Sequence, residues 1–385
     1  KRKGSGILKG FSTRSIHIGE IHQLDSMTTP IFQTANFLMN PSKYKVDNRD
    51  NYIYSRISNP TVRSVEQKLA NLCGAKEGVL FSSGMGAITC SLLSVLSEND
   101  RAIFLTELYG GTHSLIEKVL PTLGIQCDFF SVDEVSKLSL NGAKVVYVES
   151  LTNPLLKLTD VQYLARIAHE NGALLFVDNT FLSPYNFRSL EFGADLEIHS
   201  VTKYINGHSD VILGFVTSKD ENLINKIWQK MYTLGFNPNP FEAYLVARSV
   251  KTLALRMEKH NHNAKQIAQF LSNHDKVVGV RYPSLYKQIP RCYEGCPGFG
   301  AVVYCDFLTQ ENALRFVENL KIFKQATSLA GVESLVTIPS LTSHASLNDE
   351  QLKKAQISKG GVRISVGIED LDDLIEDLKQ ALNKI

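Results

Sequence analysis

What this 385-residue chain lacks narrows its roles before anything it contains. No apolar run approaches the roughly 20 residues that a membrane-crossing helix needs, and the N-terminus shows no signal-peptide pattern. A dominant charge is missing as well. The 41 Lys and Arg stand against 39 Asp and Glu, a formal net charge of +2, so bulk electrostatics draw neither nucleic acid nor a membrane surface. The basic start Lys1-Arg2-Lys3 is then expected as a solvated tail. Cysteine is sparse, with only Cys73, Cys90, Cys127, Cys292, Cys296 and Cys305. Three lie in apolar stretches, as reduced structural cysteines do, and the usage points to a reducing cytoplasm. Cys292 and Cys296 resemble half a metal knuckle, but no second Cys or His pair follows at ligand spacing, so no metal is expected. Walker and dinucleotide motifs, internal repeats and low-complexity segments are all absent, which disfavours a nucleotide-dependent enzyme.

What is present is an ordinary globular composition, 43% hydrophobic and 21% charged, at a length that suits two domains sharing an interface. Residues 1–50, with Pro30 and Pro41, read as an extended arm. Beyond residue 60, amphipathic helical patterns (60–73, 86–96, 113–123, 160–171) alternate with short apolar strand-like runs (79–82, 102–105, 144–149, 174–178, 212–217), and a further strand is expected at 195–199. Nearly continuous apolar strands of this kind suit a mostly parallel sheet covered by helices on both faces. The Gly- and Pro-rich turn at 235–240 divides a large domain, 51–240, from a smaller α+β domain, 241–385. The second domain carries a long helical pattern at 242–272, strands near 277–282, 300–306 and 362–366, and helices near 310–320 and 370–384. His260 and His262 do not share a helical face and are expected in solvent. His208 is expected to support its loop, and Phe32, Phe37, Phe129 and Phe130 to pack.

Five segments carry chemistry. Ser200-Val201-Thr202-Lys203-Tyr204 follows a strand, and a lysine set there among hydroxyls suits covalent attachment of an aldehyde cofactor, since partial burial keeps the amine neutral. Ser200 and Thr202 would reach a phosphate beside it. Ser82-Ser83-Gly84-Met85-Gly86-Ala87 joins a strand to a helix and leaves backbone N–H groups for an anion, although such turns also occur for packing alone. Asp178, followed by Asn179-Thr180, ends a buried strand where open α/β sheets bind ligands; it could equally be a turn aspartate. Opposite a pyridine nitrogen it would keep the ring protonated as an electron sink. Asn153, after Glu149-Ser150-Leu151-Thr152, could hydrogen-bond a ring hydroxyl, and Tyr109, before Gly110-Gly111-Thr112, could stack on a ring.

Together and in order, Tyr54-Ser55-Arg56-Ile57-Ser58-Asn59-Pro60-Thr61, Ser83-Gly84-Met85-Gly86-Ala87, Tyr109-Gly110, Asn153-Pro154, Val177-Asp178-Asn179-Thr180, Ser200-x-Thr202-Lys203-Tyr204 and Arg363-x-Ser365-x-Gly367 strongly resemble the Cys/Met-metabolism (trans-sulfuration) family of pyridoxal-phosphate enzymes. The resemblance runs from about residue 12 to residue 382. It implies the aspartate-aminotransferase-like fold (fold type I) and a cytoplasmic enzyme of methionine and cysteine metabolism. It further implies pyridoxal 5'-phosphate on Lys203, Asp178 at the pyridine nitrogen, and Tyr109 over the ring near the leaving group. Gly84, Met85, Ser200 and Thr202 would hold the phosphate, with Thr180 and Asn153 also at the cofactor. Arg363 would clamp the substrate α-carboxylate, with Ser328 and Asn153 beside it. Tyr54 and Arg56 would reach the phosphate of a neighbouring subunit, within a homotetramer built from two such dimers. A catalytically silent scaffold is disfavoured because lysine, aspartate, arginine and tyrosine are all present.

Family members that handle cystathionine commonly carry charged residues for its distal amino-carboxylate. The matching positions here are Ile53, Ser114 and Thr327, all neutral. A charge buried without a partner is penalised, so a shorter apolar substrate is favoured. The expectation is γ-elimination from methionine, as in methionine γ-lyase. Against it stands Gly111, where methionine γ-lyases often carry cysteine, so cystathionine γ-lyase and γ-synthase chemistry stays open.

Overall fold

The chain is described by a computed structural model over residues 8–42, 48–343, 345 and 348–385; the Lys1-Arg2-Lys3 start lies outside these. Seven strands, β1 (Glu77–Phe81), β2 (Arg101–Leu105), β3 (Gln126–Phe130), β4 (Ala143–Glu149), β5 (Leu174–Asp178), β6 (Leu196–Ser200) and β7 (Gly214–Ser218), form one sheet in the order β1-β7-β6-β5-β4-β2-β3. From β6 to β3 every pairing is parallel, whereas β7 runs antiparallel to both β6 and β1. A second sheet holds β8 (Gly279–Arg281), β9 (Val302–Asp306), β10 (Lys324–Gln325), β11 (Leu335–Thr337) and β12 (Gly361–Ser365) in the order β10-β11-β12-β9-β8. It is antiparallel apart from the β10–β11 pair. The fold is therefore α/β with a mostly parallel central sheet, joined to a smaller α+β part. Among the described residues no helix is long and apolar enough to cross a membrane.

The helices are α1 (Phe11–His17), α2 (Pro60–Leu72), α3 (Gly84–Leu93), α4 (Gly110–Lys118), α5 (Val161–Glu170), α6 (Ser183–Asn186), α7 (Glu221–Leu234), α8 (Pro240–Ser249), α9 (Leu253–Ser272), α10 (Gln310–Asn319), α11 (Asp349–Lys354) and α12 (Leu371–Leu382). Their starts follow from side-chain caps. Asn59 accepts from Thr61 N ahead of Pro60 at the first helical position, Ser83 accepts from Gly86 N, and Asp160 accepts from Tyr163 N. Gly235 ends α7 in the left-handed conformation.

Several expectations need correction. The arm is not wholly extended, because α1 folds inside it and is tied to α2. Lys68, fully buried, donates to Ser15 O (2.9 Å) and Ile16 O (3.1 Å) and pairs with Glu20 at 2.8 Å. The 242–272 pattern is two helices, α8 and α9, separated by the single 3-10 turn Val250–Thr252. His260 is buried rather than solvated, its Nδ1 2.9 Å from Val366 O and its ring edge-on to Tyr204. The reason is that α9 is covered over a wide arc, so its polar residues bond main chain of the second sheet; Asn263 likewise donates to Gly367 O and Glu369 O. His262 is exposed, as expected. His208 does brace its loop, through Asn206 O at 2.7 Å and Ser249 Oγ at 3.1 Å.

Candidate active site

Parallel strands bring β4, β5 and β6 to a common C-terminal edge, and there Glu149 lies directly beside Asp178 in register. Asp178 Oδ1 accepts from Thr180 N (3.0 Å) and Thr180 Oγ1 (2.5 Å), and its Oδ2 accepts from the Tyr147 hydroxyl at 3.3 Å. Burial pushes the Asp178 carboxyl up, and the two Thr180 bonds pull it back. Thr180 Oγ1 also accepts from Ser200 N at 2.8 Å, coupling the end of β5 to that of β6.

Lys203 sits in the turn after β6, where Lys203 N donates to Ser200 O and Gly207 N to Lys203 O. Its Nζ donates to Ser328 Oγ at 2.6 Å. Burial, followed by the nearby Arg363 guanidinium, brings this amine down from 10.5 to about 8. Arg363, on β12 and buried, donates from Nη1 to Asn153 Oδ1 (3.1 Å) and from Nη2 to Ser328 O (2.7 Å). Its Nε is buried with no acceptor among the described residues. Ser328 thus serves both cations while held at φ +76, a backbone region that is uncommon and strained for a non-glycine residue. Lys203 with Ser328, and Asn153 with Arg363, place the cluster between the two sheets.

Beside Lys203, Ser83 caps α3, and the amides of Gly84 and Met85 open that helix. A Cβ at Gly214 would run into Ser83 O, so that glycine is required by close approach, and one at Gly84 would crowd Ser200 Cβ at 3.2 Å. Thr202 Oγ1 is shared with Leu213, accepting from its N (3.0 Å) and donating to its O (3.3 Å). Tyr109, half exposed, precedes α4. A side chain at Gly111 would meet its Cε1 at 2.5 Å and Met85 Sδ at 3.1 Å, so the ring leans over that glycine.

Other expected residues are not joined to this cluster by any hydrogen bond among the described residues. Arg56 donates to Tyr232 O (2.7 Å) and lies 5.5 Å over the Tyr54 ring, both side chains exposed. Ile53 is half-buried, and Ser114 and Thr327 are exposed. Sequence reasoning missed Tyr147 and gave Glu149 no role. A tyrosine in an apolar strand reads as core, but two parallel strands that each end in an acid was a signal that could have been used.

The donors suit a phosphorylated aldehyde on a pyridine ring. A helix N-terminus and the Ser200 hydroxyl fit a phosphate, an amine near neutrality fits the aldehyde, a buried carboxylate fits a ring nitrogen, and Arg363 fits a carboxylate through its uncommitted Nε. Residues 12–383 match the family described as Cys/Met metabolism PLP-dependent enzyme. The chain is 38% identical to a cystathionine beta-lyase of Lactococcus lactis subsp. cremoris, covering 98% of this chain and 100% of that one. It is 39% identical to a cystathionine gamma-lyase of Bacillus subtilis (94% and 95% covered) and 36% identical to an L-methionine gamma-lyase of Porphyromonas gingivalis (98% and 98%). The crystal structure of cystathionine gamma-lyase from Lactobacillus plantarum complexed with L-serine superposes with a TM-score of 0.91 at 33% identity, over 98% of this chain and 99% of that one. The chain belongs to the Cys/Met-metabolism family of pyridoxal-phosphate-dependent enzymes.

Proposed function

We propose that this trans-sulfuration enzyme is a carbon–sulfur lyase acting by γ-elimination on methionine-like substrates, turning methionine and water into 2-oxobutanoate, ammonia and methanethiol. One observation carries the reading: the three positions expected to meet a distal amino-carboxylate, Ile53, Ser114 and Thr327, hold no charge. The basic neighbour of Ser114 is no substitute, because His113 is stacked on Phe129 and lies 3.3 Å from Glu117. A zwitterionic tail would be desolvated there without a counter-ion, whereas a thioether methyl loses nothing.

The residues divide the work as follows. Pyridoxal phosphate supplies, when bound, an aldehyde for amines and a protonated ring that accepts electron density from Cα. Lys203 would anchor it and would serve as the base for the Cα proton, a task suited to an amine at about 8. Asp178, held by Thr180 and Tyr147, would meet the ring nitrogen as an anion. Arg363 clamps the α-carboxylate with Ser328 and Asn153 beside it, Asn153 also meeting the ring hydroxyl. Tyr109 covers the ring, and it or Lys203 protonates the departing sulfur. Gly84, Met85, Ser200 and Thr202 take the phosphate on one side. Tyr54 and Arg56 complete it from a second copy of the chain, in a homotetramer of two such dimers.

A second reading, cystathionine cleavage or γ-replacement on an activated homoserine, is supported by the names of the relatives and by Gly111. Steady-state rates on methionine, cystathionine, homocysteine, and acylated homoserine with cysteine decide between them. We expect methionine to be preferred and Thr327→Glu to improve cystathionine use. A wild-type enzyme that cleaves cystathionine far better than methionine, with no gain in Thr327→Glu, overturns the first reading.

A further inference from the structure

Two carboxyl groups lie side by side at the cofactor edge of the sheet, Glu149 at the end of β4 and Asp178 at the end of β5. Like charges on paired residues of neighbouring strands in a water-poor site are not readily both held, so the donors around each decide where the charge resides. Asp178 has donors on both oxygens, the Thr180 amide and hydroxyl on one and the Tyr147 hydroxyl on the other. Glu149 is 5% exposed. Its Oε1 accepts from Tyr109 N at 2.6 Å, and its Oε2 is buried without a hydrogen-bond partner among the described residues, with the Asn153 main chain close by. The other charged group acting on it is Glu107, itself paired with Lys157 at 3.1 Å and bonded by Ser131 Oγ. The neighbours of Asp178 are the Tyr147 phenol and, from β6, His199. An ionised carboxylate with one oxygen bare in the interior is penalised far more than a neutral carboxyl in the same place, so of the two acids Glu149 is the one to keep its proton.

We propose that Glu149 is a positioning residue carried as a neutral acid, whose Oε1 holds the Tyr109 main chain beside that of Asn153 while Asp178 keeps the negative charge. Burial, and then the Asp178 charge, push the Glu149 carboxyl well above its ordinary value, in agreement with this. A neutral tie at this point orients the aromatic over the ring and the asparagine that bonds Arg363. It adds no second anion to compete for the ring proton. The inference rests on the assignment of Asp178 to the ring nitrogen.

Infrared spectra of the holoenzyme test the protonation state directly. A protonated-carboxyl C=O band near neutral pH should be present in wild type and absent from Glu149→Gln; no difference between the two overturns the proposal. Gln is also isosteric with the acid, so the pH midpoint of the bound cofactor's visible absorbance should shift by less than about 0.3 unit in Glu149→Gln. A fall of roughly one unit or more would show instead that an anion had been removed beside the cofactor. Glu149→Ala strands the Tyr109 amide and should weaken cofactor binding roughly tenfold, with Glu149→Gln recovering most of that. Equal weakening in both variants counts against the tie. Should Glu149→Ala not fold, the infrared and absorbance arms still decide. Failure of the Asp178 assignment reads differently, as an Asp178→Asn enzyme whose cofactor absorbance and turnover match wild type.

Discussion

Lys203 illustrates how a position in the fold sets reactivity. Its amine sits in a turn closed by main-chain bonds, next to a guanidinium and largely out of water, and both influences favour the uncharged form. Only that form attacks an aldehyde. Capture of pyridoxal phosphate by the apoenzyme should therefore accelerate as pH rises toward about 8 and level off above it. A lysine at its ordinary 10.5 would go on gaining beyond pH 10. Stopped-flow absorbance across this range checks the midpoint, and one near 10.5 refutes the lowered value. At this scale Lys203, Asp178, Asn153 and Arg363 were legible because motif order named them. His260 was misplaced, since nothing in its neighbours shows that α9 is covered so broadly, and Tyr147 was hidden because its partner lies 31 positions away.

Among the elements, the central strands were the most readable. β4 and β5 are largely buried on both faces and write that burial as the apolar runs Val145–Val148 and Leu174–Val177, whereas β6 buries Glu197 and His199 among its apolar residues. The edge strand β3 is mostly exposed, and the short β10 and β11 give little pattern to find. The seven-residue α1 draws its stability from what it touches. Its anchor is Glu20, which pairs with both Lys68 and Lys251 at 2.8 Å. Burial alone would raise this carboxyl, but hydrogen bonds from Lys251 and Lys68 outweigh it and hold it at about 2. Because the folded value lies below the ordinary 4.5, the stabilisation is fully present above pH 4.5 and is lost as pH falls toward 2. Acid should thus loosen the arm before the core. Limited proteolysis within residues 8–29 across that window measures this, and Glu20→Gln should flatten the dependence. Cleavage that does not change with pH in wild type rules it out. A second tie, Arg49 and Arg63 on Glu66 and Glu77, secures α2 to β1, with Glu66 also accepting from Leu80 N. Apart from the Arg63–Glu66 pair within α2, its partners come from separate segments, which no local periodicity reveals.

For the whole molecule, the alternation of helix and strand announced the central sheet, while the meeting of two sheets around Lys203 came from contacts between residues more than a hundred positions apart. The remaining expectation at this scale is a site shared between chains. Tyr54 and Arg56 face outward and are not bonded to Lys203 or Asp178 in their own chain. Lys203→Ala and Arg56→Ala enzymes should each be nearly inactive. When unfolded together and refolded as mixed assemblies, they should regain activity, with roughly a quarter of sites intact. If no activity returns, each chain works alone.

Thr180 deserves a last consideration in this light. Its hydroxyl proton goes to Asp178 and its lone pair to the amide of Ser200, so one oxygen atom sets the gap between the two grips proposed above for the ring and the phosphate. It behaves as the pivot of a calliper. Any slackness there opens both jaws at once, and a flat ligand of fixed length would lose its gauge at either end.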